Sequence, residues 1–195
     1  MKTSLLALGL LATLPFAASA AEGISYNYVE GGYVQSDGRS DQTVDAKGWA
    51  LKGSYAFHPN FSVFGDFSRQ KTDYDSDNFR FNQFRVGAGY NYEIANSTDL
   101  VTRVAYNRLD QQHGTKFNGW SAEAGLRTAF NPYLEVYALG GYEDYFKKDG
   151  IDPKGKFYGV IGGEAKLNQN WGLSADMKMD RHGSKEWFVG PRFSW

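Results

Sequence analysis

Glu186-Trp187-Phe188-Val189-Gly190-Pro191-Arg192-Phe193-Ser194-Trp195 is the stretch on which the reading of this chain turns. Counted back from the end, every second residue is apolar or aromatic: Trp195, Phe193, Pro191, Val189 and Trp187. Between them stand Ser194, Arg192, Gly190 and Phe188. A period of two describes a strand with one apolar face. The strand runs to a terminal aromatic with no polar tail. The closing strand of an outer-membrane β-barrel has this form, with its last aromatic at the membrane interface. Such a strand is also the expected point of contact with the barrel-assembly machinery.

The other end of the chain agrees with export. Lys2 precedes a short apolar run, Leu5 to Leu14, and Ala18-Ser19-Ala20 is an A-x-A cleavage site. Residues 1–20 therefore read as a secretory signal peptide, and 21–195 as one barrel domain. The apolar run is shorter than the ~20 residues that a spanning helix needs. There is no Cys, and 21 bases nearly balance 22 acids, so neither disulfides nor a nucleic-acid partner is expected. Mean hydropathy is −0.52, yet aromatics make up 16% of the chain and Gly numbers 23. A barrel whose apolar residues occupy alternate positions accounts for both.

Turn signals divide the domain. His58-Pro59-Asn60, Ala95-Asn96-Ser97-Thr98, Asn131-Pro132 and Asn168-Gln169-Asn170 are short turns. Longer polar stretches alternate with them: 36–46, 72–78, 110–118, 147–155 and 181–185. Short periplasmic turns alternating with extracellular loops is the outer-membrane layout. Ten strands follow, over 24–35, 47–57, 61–71, 79–93, 100–109, 119–130, 133–146, 157–167, 171–180 and 186–195. Most reach the ~9–11 residues of a tilted spanning strand.

Parity within the strands sets the faces. One face is apolar throughout, as in Trp49-Leu51-Gly53-Tyr55-Phe57 or Phe84-Val86-Ala88-Tyr90-Tyr92. The other carries Glu30, Lys52, Asp66, Arg85, Arg103, Glu123, Arg127, Glu135, Glu143, Glu164, Lys166, Asp176, Lys178 and Arg192. Turned toward lipid, each Arg or Lys near the midplane would cost ~2–4 kcal/mol. The charged face must look into the lumen, which also excludes a soluble lipocalin-like barrel with its apolar interior. Aromatics of the apolar face gather at two levels. Tyr33, Trp49, Phe67, Tyr106, Trp120, Tyr142, Phe157 and Trp187 lie toward the loops, and Phe57, Phe61, Tyr92, Phe130, Trp171 and Trp195 toward the turns. They read as two interfacial girdles. Arg192 is the expected partner of Glu30 across the seam between the first and last strands. Pro191, which cannot donate to the ladder, predicts a bulge or a missing bond there.

Three segments resemble a known family: Tyr28-Val29-Glu30-Gly31-Gly32-Tyr33-Val34, Leu100-Val101-Thr102-Arg103-Val104-Ala105-Tyr106 and Lys185 to Arg192. Tyr137-Ala138-Leu139-Gly140-Gly141-Tyr142-Glu143-Asp144-Tyr145 adds to the likeness. The chain resembles small xanthomonad outer-membrane proteins described as regulated by quorum sensing (diffusible signal factor) and proposed as activators of plant immunity. The resemblance implies an outer-membrane barrel, also shed or secreted, linked to signalling, motility, biofilm or host recognition. It implies no catalytic residue.

The remaining chemistry is sparse. Asp73-Tyr74-Asp75-Ser76-Asp77-Asn78 alternates acids like the start of a Ca²⁺ loop, but the sixth position is Asn78 and the twelfth Phe84. A solvated acidic loop is the plainer reading, so no metal and no cofactor is expected. Asp180 and His182, with Ser184 nearby, could face those acids across the rim, as in ten-stranded surface proteases or a lipid hydrolase; the loops are short for either. Seven acids against seven bases in the lumen suit a salt-bridged plug better than the one-signed ring of an ion-selective pore. The sequence thus leads to a non-enzymatic barrel acting through loops that contact lipopolysaccharide, other cells or host surfaces. The alternative is a narrow passive pore for small polar solutes or ions.

Overall fold

The computed structural model describes residues 23–38, 45–74, 77–111 and 114–195. The expected signal peptide over 1–20 and most of the first loop lie outside them. Among the described residues ten strands form: β1 Tyr28–Asp37, β2 Ala46–His58, β3 Phe61–Tyr74, β4 Asp77–Ala95, β5 Thr98–Gln111, β6 Lys116–Asn131, β7 Leu134–Tyr145, β8 Lys156–Lys166, β9 Trp171–Asp180 and β10 Lys185–Ser194. Each pairs antiparallel with its neighbour in sequence, and β1 pairs with β10, so the sheet is a closed barrel. Closure leaves no edge strand among the described residues.

Alternation lays out the wall. On β10, Trp187, Val189 and Pro191 face outward, while Phe188, Gly190, Arg192 and Ser194 are buried inside. On β2 the outer face is Trp49, Leu51 and Phe57, and the inner face includes Ala50, Ser54 and Ala56. The turn end is tight, with bulges in the ladder at Ala56/His58, Glu93/Ala95 and Ala129/Asn131.

The seam is interrupted at Pro191. Glu30 is paired with Arg192 and Tyr33 with Val189, and the two positions between them do not pair, although the register is unbroken. Here the two backbones come together through glycines. A Cβ on Gly32 would stand 2.1 Å from the Val189 carbonyl oxygen, and one on Gly190 would stand 2.2 Å from that of Gly31. The missing donor of Pro191 is therefore absorbed by a missing pair of ladder positions, without a bulge.

Three expectations need correction. Residues 24–27 alternate like a strand but are not one; β1 begins at Tyr28. Ile24 and Tyr26 instead turn into the barrel and pack with Ala56, Val101, Ala129 and Leu139. The expected loop at 72–78 is largely strand, with Thr72 paired to Phe79 and Lys71 to Arg80. The expected loop at 110–118 is likewise strand at both its ends, with Asp110 paired to Lys116. The sense of the alternation inverts in these extensions. Phe81 and Leu109 line the inner face and Phe117 is buried, while Arg80, Arg108 and Lys116 face outward on the opposite parity. A pattern sought as apolar-outward stops where the wall leaves the apolar zone. The wall is thereby lopsided: β3–β6 run to 14–19 residues, β8–β10 to 10–11.

Closure at the seam can be tested at adjacent glycines. Gly32→Val should abolish the fast-migrating folded band of the unboiled protein on SDS gels. Gly31→Ala, whose added Cβ would meet nothing nearer than 3.6 Å, should keep it.

Candidate functional site: the charged lumen

The inward positions carry the charges, and the barrel brings them together in layers. Near the turn end, Arg192 Nε donates to Glu30 Oε2 at 2.6 Å, and its Nη1 lies 3.3 Å from Glu164 Oε2 and 3.8 Å from Glu135 Oε1. Ser174 Oγ donates to Glu30 at 2.8 Å. Arg127 Nε donates to Glu135 at 2.6 Å and its Nη2 to the Ser25 carbonyl at 2.9 Å. Lys166 bonds the Gly23 carbonyl and lies 3.8 Å from Glu135. Above them, Lys52 meets Asp176 at 2.5 Å and Glu30 at 3.9 Å. Arg85 meets Glu123 at 2.7 Å and Asp66 at 3.8 Å. Toward the loops, Lys178 and Lys156 share Glu143 at 2.6 and 3.5 Å, and Lys156 reaches Asp180 at 2.8 Å.

Thirteen of the fourteen charges expected on the inner face join this network. Arg103 has no acid within 4 Å among the described residues; its guanidinium lies 5.5 Å from the Phe64 ring centre, beside that of Arg85 at 5.1 Å. Desolvated charges left alone are expensive, so each cation here is matched or laid over a ring.

Sequence reasoning missed a second set. Asp99 is fully buried and accepts a 2.9 Å bond from Tyr26 Oη. Tyr158 Oη donates to Glu123 at 2.8 Å and Tyr137 Oη to Asp176 at 3.2 Å. Arg127 stacks 4.6 Å from the Tyr26 ring and Arg192 4.1 Å from the Tyr28 ring. Tyr137 and Tyr158 stand at inward parity, a signal that a search for charges alone passes over. Residues 23–27 thus cross the turn-end mouth, held by Arg127, Asp99 and Lys166 and by Asn27 Oδ1, which accepts the Ala56 amide at 2.8 Å. Above this plug, a cavity of about 140 Å³ is lined by Lys52, Asp66, Arg85 and Asp176 among others.

The outer aromatics form contacts at both levels. Toward the loops, Trp49 lies 5.3 Å from Phe67, Trp120 5.8 Å from Tyr142 and Tyr142 5.0 Å from Phe157. Toward the turns, Phe57 lies 6.3 Å from Phe61, and Phe193 5.0 Å from Trp171 and 6.1 Å from Trp195. Tyr92, Tyr106, Phe130 and Trp187 are exposed on the same outer face.

Among the described residues the candidate rim chemistry does not assemble. The Asp180 carboxylate is occupied by Lys156 and by the backbone amides of His182 and Ser184 at 2.9 and 3.1 Å. It caps the β9–β10 turn instead of orienting an imidazole. No cluster of metal-ligating side chains occurs among the described residues, and the side chains of the acidic stretch 73–78 lie outside them.

An inside-charged, outside-apolar closed barrel of this kind belongs to one class. The chain is a member of the outer membrane protein beta-barrel domain family, whose model matches residues 3–145, and its place is the outer membrane. No curated protein matches it. Among solved structures it is similar to Ail, the attachment invasion locus protein of Yersinia pestis, at 16% identity over 88% of this chain and 100% of that one, with a TM-score of 0.42. Neisserial surface protein A is 17% identical over 90% and 99%, TM-score 0.45. OprG of Pseudomonas aeruginosa is 12% identical over 90% and 99%, TM-score 0.46. Likeness at this level transfers no function.

Arg192→Met leaves Glu164 without a cation and Glu30 with only Lys52 at 3.9 Å, and should cost about 3–5 kcal/mol. Arg103→Met removes no ion pair and should cost less. Urea unfolding of the refolded barrel in lipid vesicles measures both.

Proposed function

We propose that this chain is a closed surface barrel whose extracellular end makes contacts with lipopolysaccharide, other cells or host surfaces, with no enzymatic activity of its own. The observation that carries this reading is the plugged turn-end mouth. Residues 23–27 stop it, and the ion pairs above them line a cavity of about 140 Å³ at mid-height. Both signs of charge alternate through that space, so no ion meets a one-signed path. What is left to act is the wall that rises beyond the membrane on β3–β6 and the vestibule within it. The resemblance to xanthomonad proteins under quorum-sensing control supports a surface role tied to biofilm or host recognition, and a shed form besides.

A second reading, a narrow passive pore, draws support from one feature. The vestibule of about 330 Å³ at the loop end shares Gln83, Lys178 and Glu186 with the cavity beneath it. A shift of the N-terminal segment would then open a polar route.

Planar-bilayer recordings separate the two. The refolded protein should show no steady conductance, and Ile24→Ala with Tyr26→Ala, which shrinks the plug, should raise it. Steady conductance of the unaltered protein that changes with Arg85→Ala would overturn the closed reading.

A further inference from the structure

The outer face just above the loop-side girdle carries an arrangement that neither the barrel nor the lumen explains. Lys47 on β2 is directly paired with Lys71 on β3, and Lys71 with Arg80 on β4. Arg69 is paired with Trp49 on one side and Asn82 on the other. Further round, Arg108 is paired with Phe84 and Asn118, and Lys116 with Asp110. All six bases are exposed and stand at outward parity. Like charges directly opposite across a ladder destabilise it, and here three stand in line. Among the described residues, only Arg108 and Lys116 have an acid within 4 Å, and it is the same one, Asp110, at 3.9 and 3.1 Å.

The level of the strip is informative. Lys47, Arg69 and Arg108 each lie two residues beyond a girdle aromatic: Trp49, Phe67 and Tyr106. Two residues advance a strand by about 7 Å. That carries these side chains out of the hydrocarbon and into the zone of lipid headgroups. The strip runs across five strands, which at ~4.8 Å each gives a width of roughly 20 Å. One phospholipid phosphate would occupy a small part of it. Across the barrel the outward residues near this level include Asp144, Arg181 and Lys185, of mixed sign. The basic surface is confined to the tall side.

We propose that Lys47, Arg69, Lys71, Arg80, Arg108 and Lys116 form a binding strip for the phosphorylated saccharide headgroup of lipopolysaccharide in the outer leaflet. Several phosphates fixed on one sugar scaffold match several bases fixed on one sheet. Charge-assisted bonds from Arg to phosphate, bidentate where the geometry permits, give the contact its strength. The bound anion also removes the cross-strand repulsion, so the lipid stabilises the β2–β4 wall. This rests on reading the extracellular end as the contact surface, and it stands whether or not the lumen conducts.

The test uses the refolded mature chain in zwitterionic micelles. Purified lipopolysaccharide should raise the temperature at which the folded gel band is lost, and its enzymatically dephosphorylated form should not. The variant Lys47→Gln, Arg69→Gln, Lys71→Gln, Arg80→Gln should bind about tenfold more weakly or worse. Without lipid it should keep the folded band at equal or higher temperature, since it loses only repulsion. Arg181→Gln with Lys185→Gln, on the opposite wall, should bind as the unaltered protein does. Equal stabilisation by intact and dephosphorylated lipopolysaccharide, equal stabilisation by phosphatidylglycerol vesicles, or unchanged binding by the fourfold variant would each overturn the assignment. A barrel that conducts in planar bilayers would overturn the closed-lumen reading alone.

Discussion

Within hydrocarbon a backbone amide or carbonyl has no water to turn to, so a sheet that spans a bilayer must close on itself. Everything else in this molecule follows from that requirement meeting at one seam. β1 and β10 pair along their length except where Pro191 has no N–H to give. The gap is narrowed by Gly32 and Gly190, which let the two backbones approach where any side chain would collide. Just inside the same seam, Glu30 and Arg192 form a 2.6 Å pair. The weakest stretch of the ladder is thus bridged from the lumen by one of the most buried ion pairs in the protein.

Closure divides the chain into two chemistries of equal periodicity. Lipid takes the apolar parity, and the lumen takes the charges. The charges cannot be left single, because burial removes the water that would otherwise stabilise them. The layers around Arg192, Lys52, Arg85 and Lys178 are the consequence. Above the membrane the division reverses: Phe81, Leu109 and Phe117 turn inward, and Arg80, Arg108 and Lys116 turn out to water and headgroups. The same strand serves two solvents, and the parity of its apolar residues changes where the solvent does.

The turn-end mouth of the barrel is stopped by residues 23–27. The N-terminal segment contributes Ile24 and Tyr26 to a small apolar cluster beneath the layers of charge. That cluster sits at the turn end, where Ala129 and Val101 leave space for it. A tall wall on one side and short strands on the other give the extracellular end a direction, and the exposed bases lie on the tall side.

The sequence by itself determined the strand count, the inner and outer faces and the turn positions. Each rests on local alternation and on the chemistry of single residues. Even the pairing of Glu30 with Arg192 was legible, because closure of an even-stranded barrel forces the first and last strands together. The other partnerships were not. Lys52 meets Asp176 from 124 residues away, and that contact depends on the stagger of strands around a closed wall, which no local pattern encodes. Asp99 fell between the expected turn 95–98 and strand 100–109, and Tyr26 inside the expected strand 24–35; only the barrel joined them, through a 2.9 Å bond. The strand ends at 72–74 and 77–78 read as a loop because their residues are almost all polar, with no alternation to follow. Only the tertiary structure decided these, since which parity is apolar depends on what surrounds the strand at that height, and the height is a property of the closed barrel.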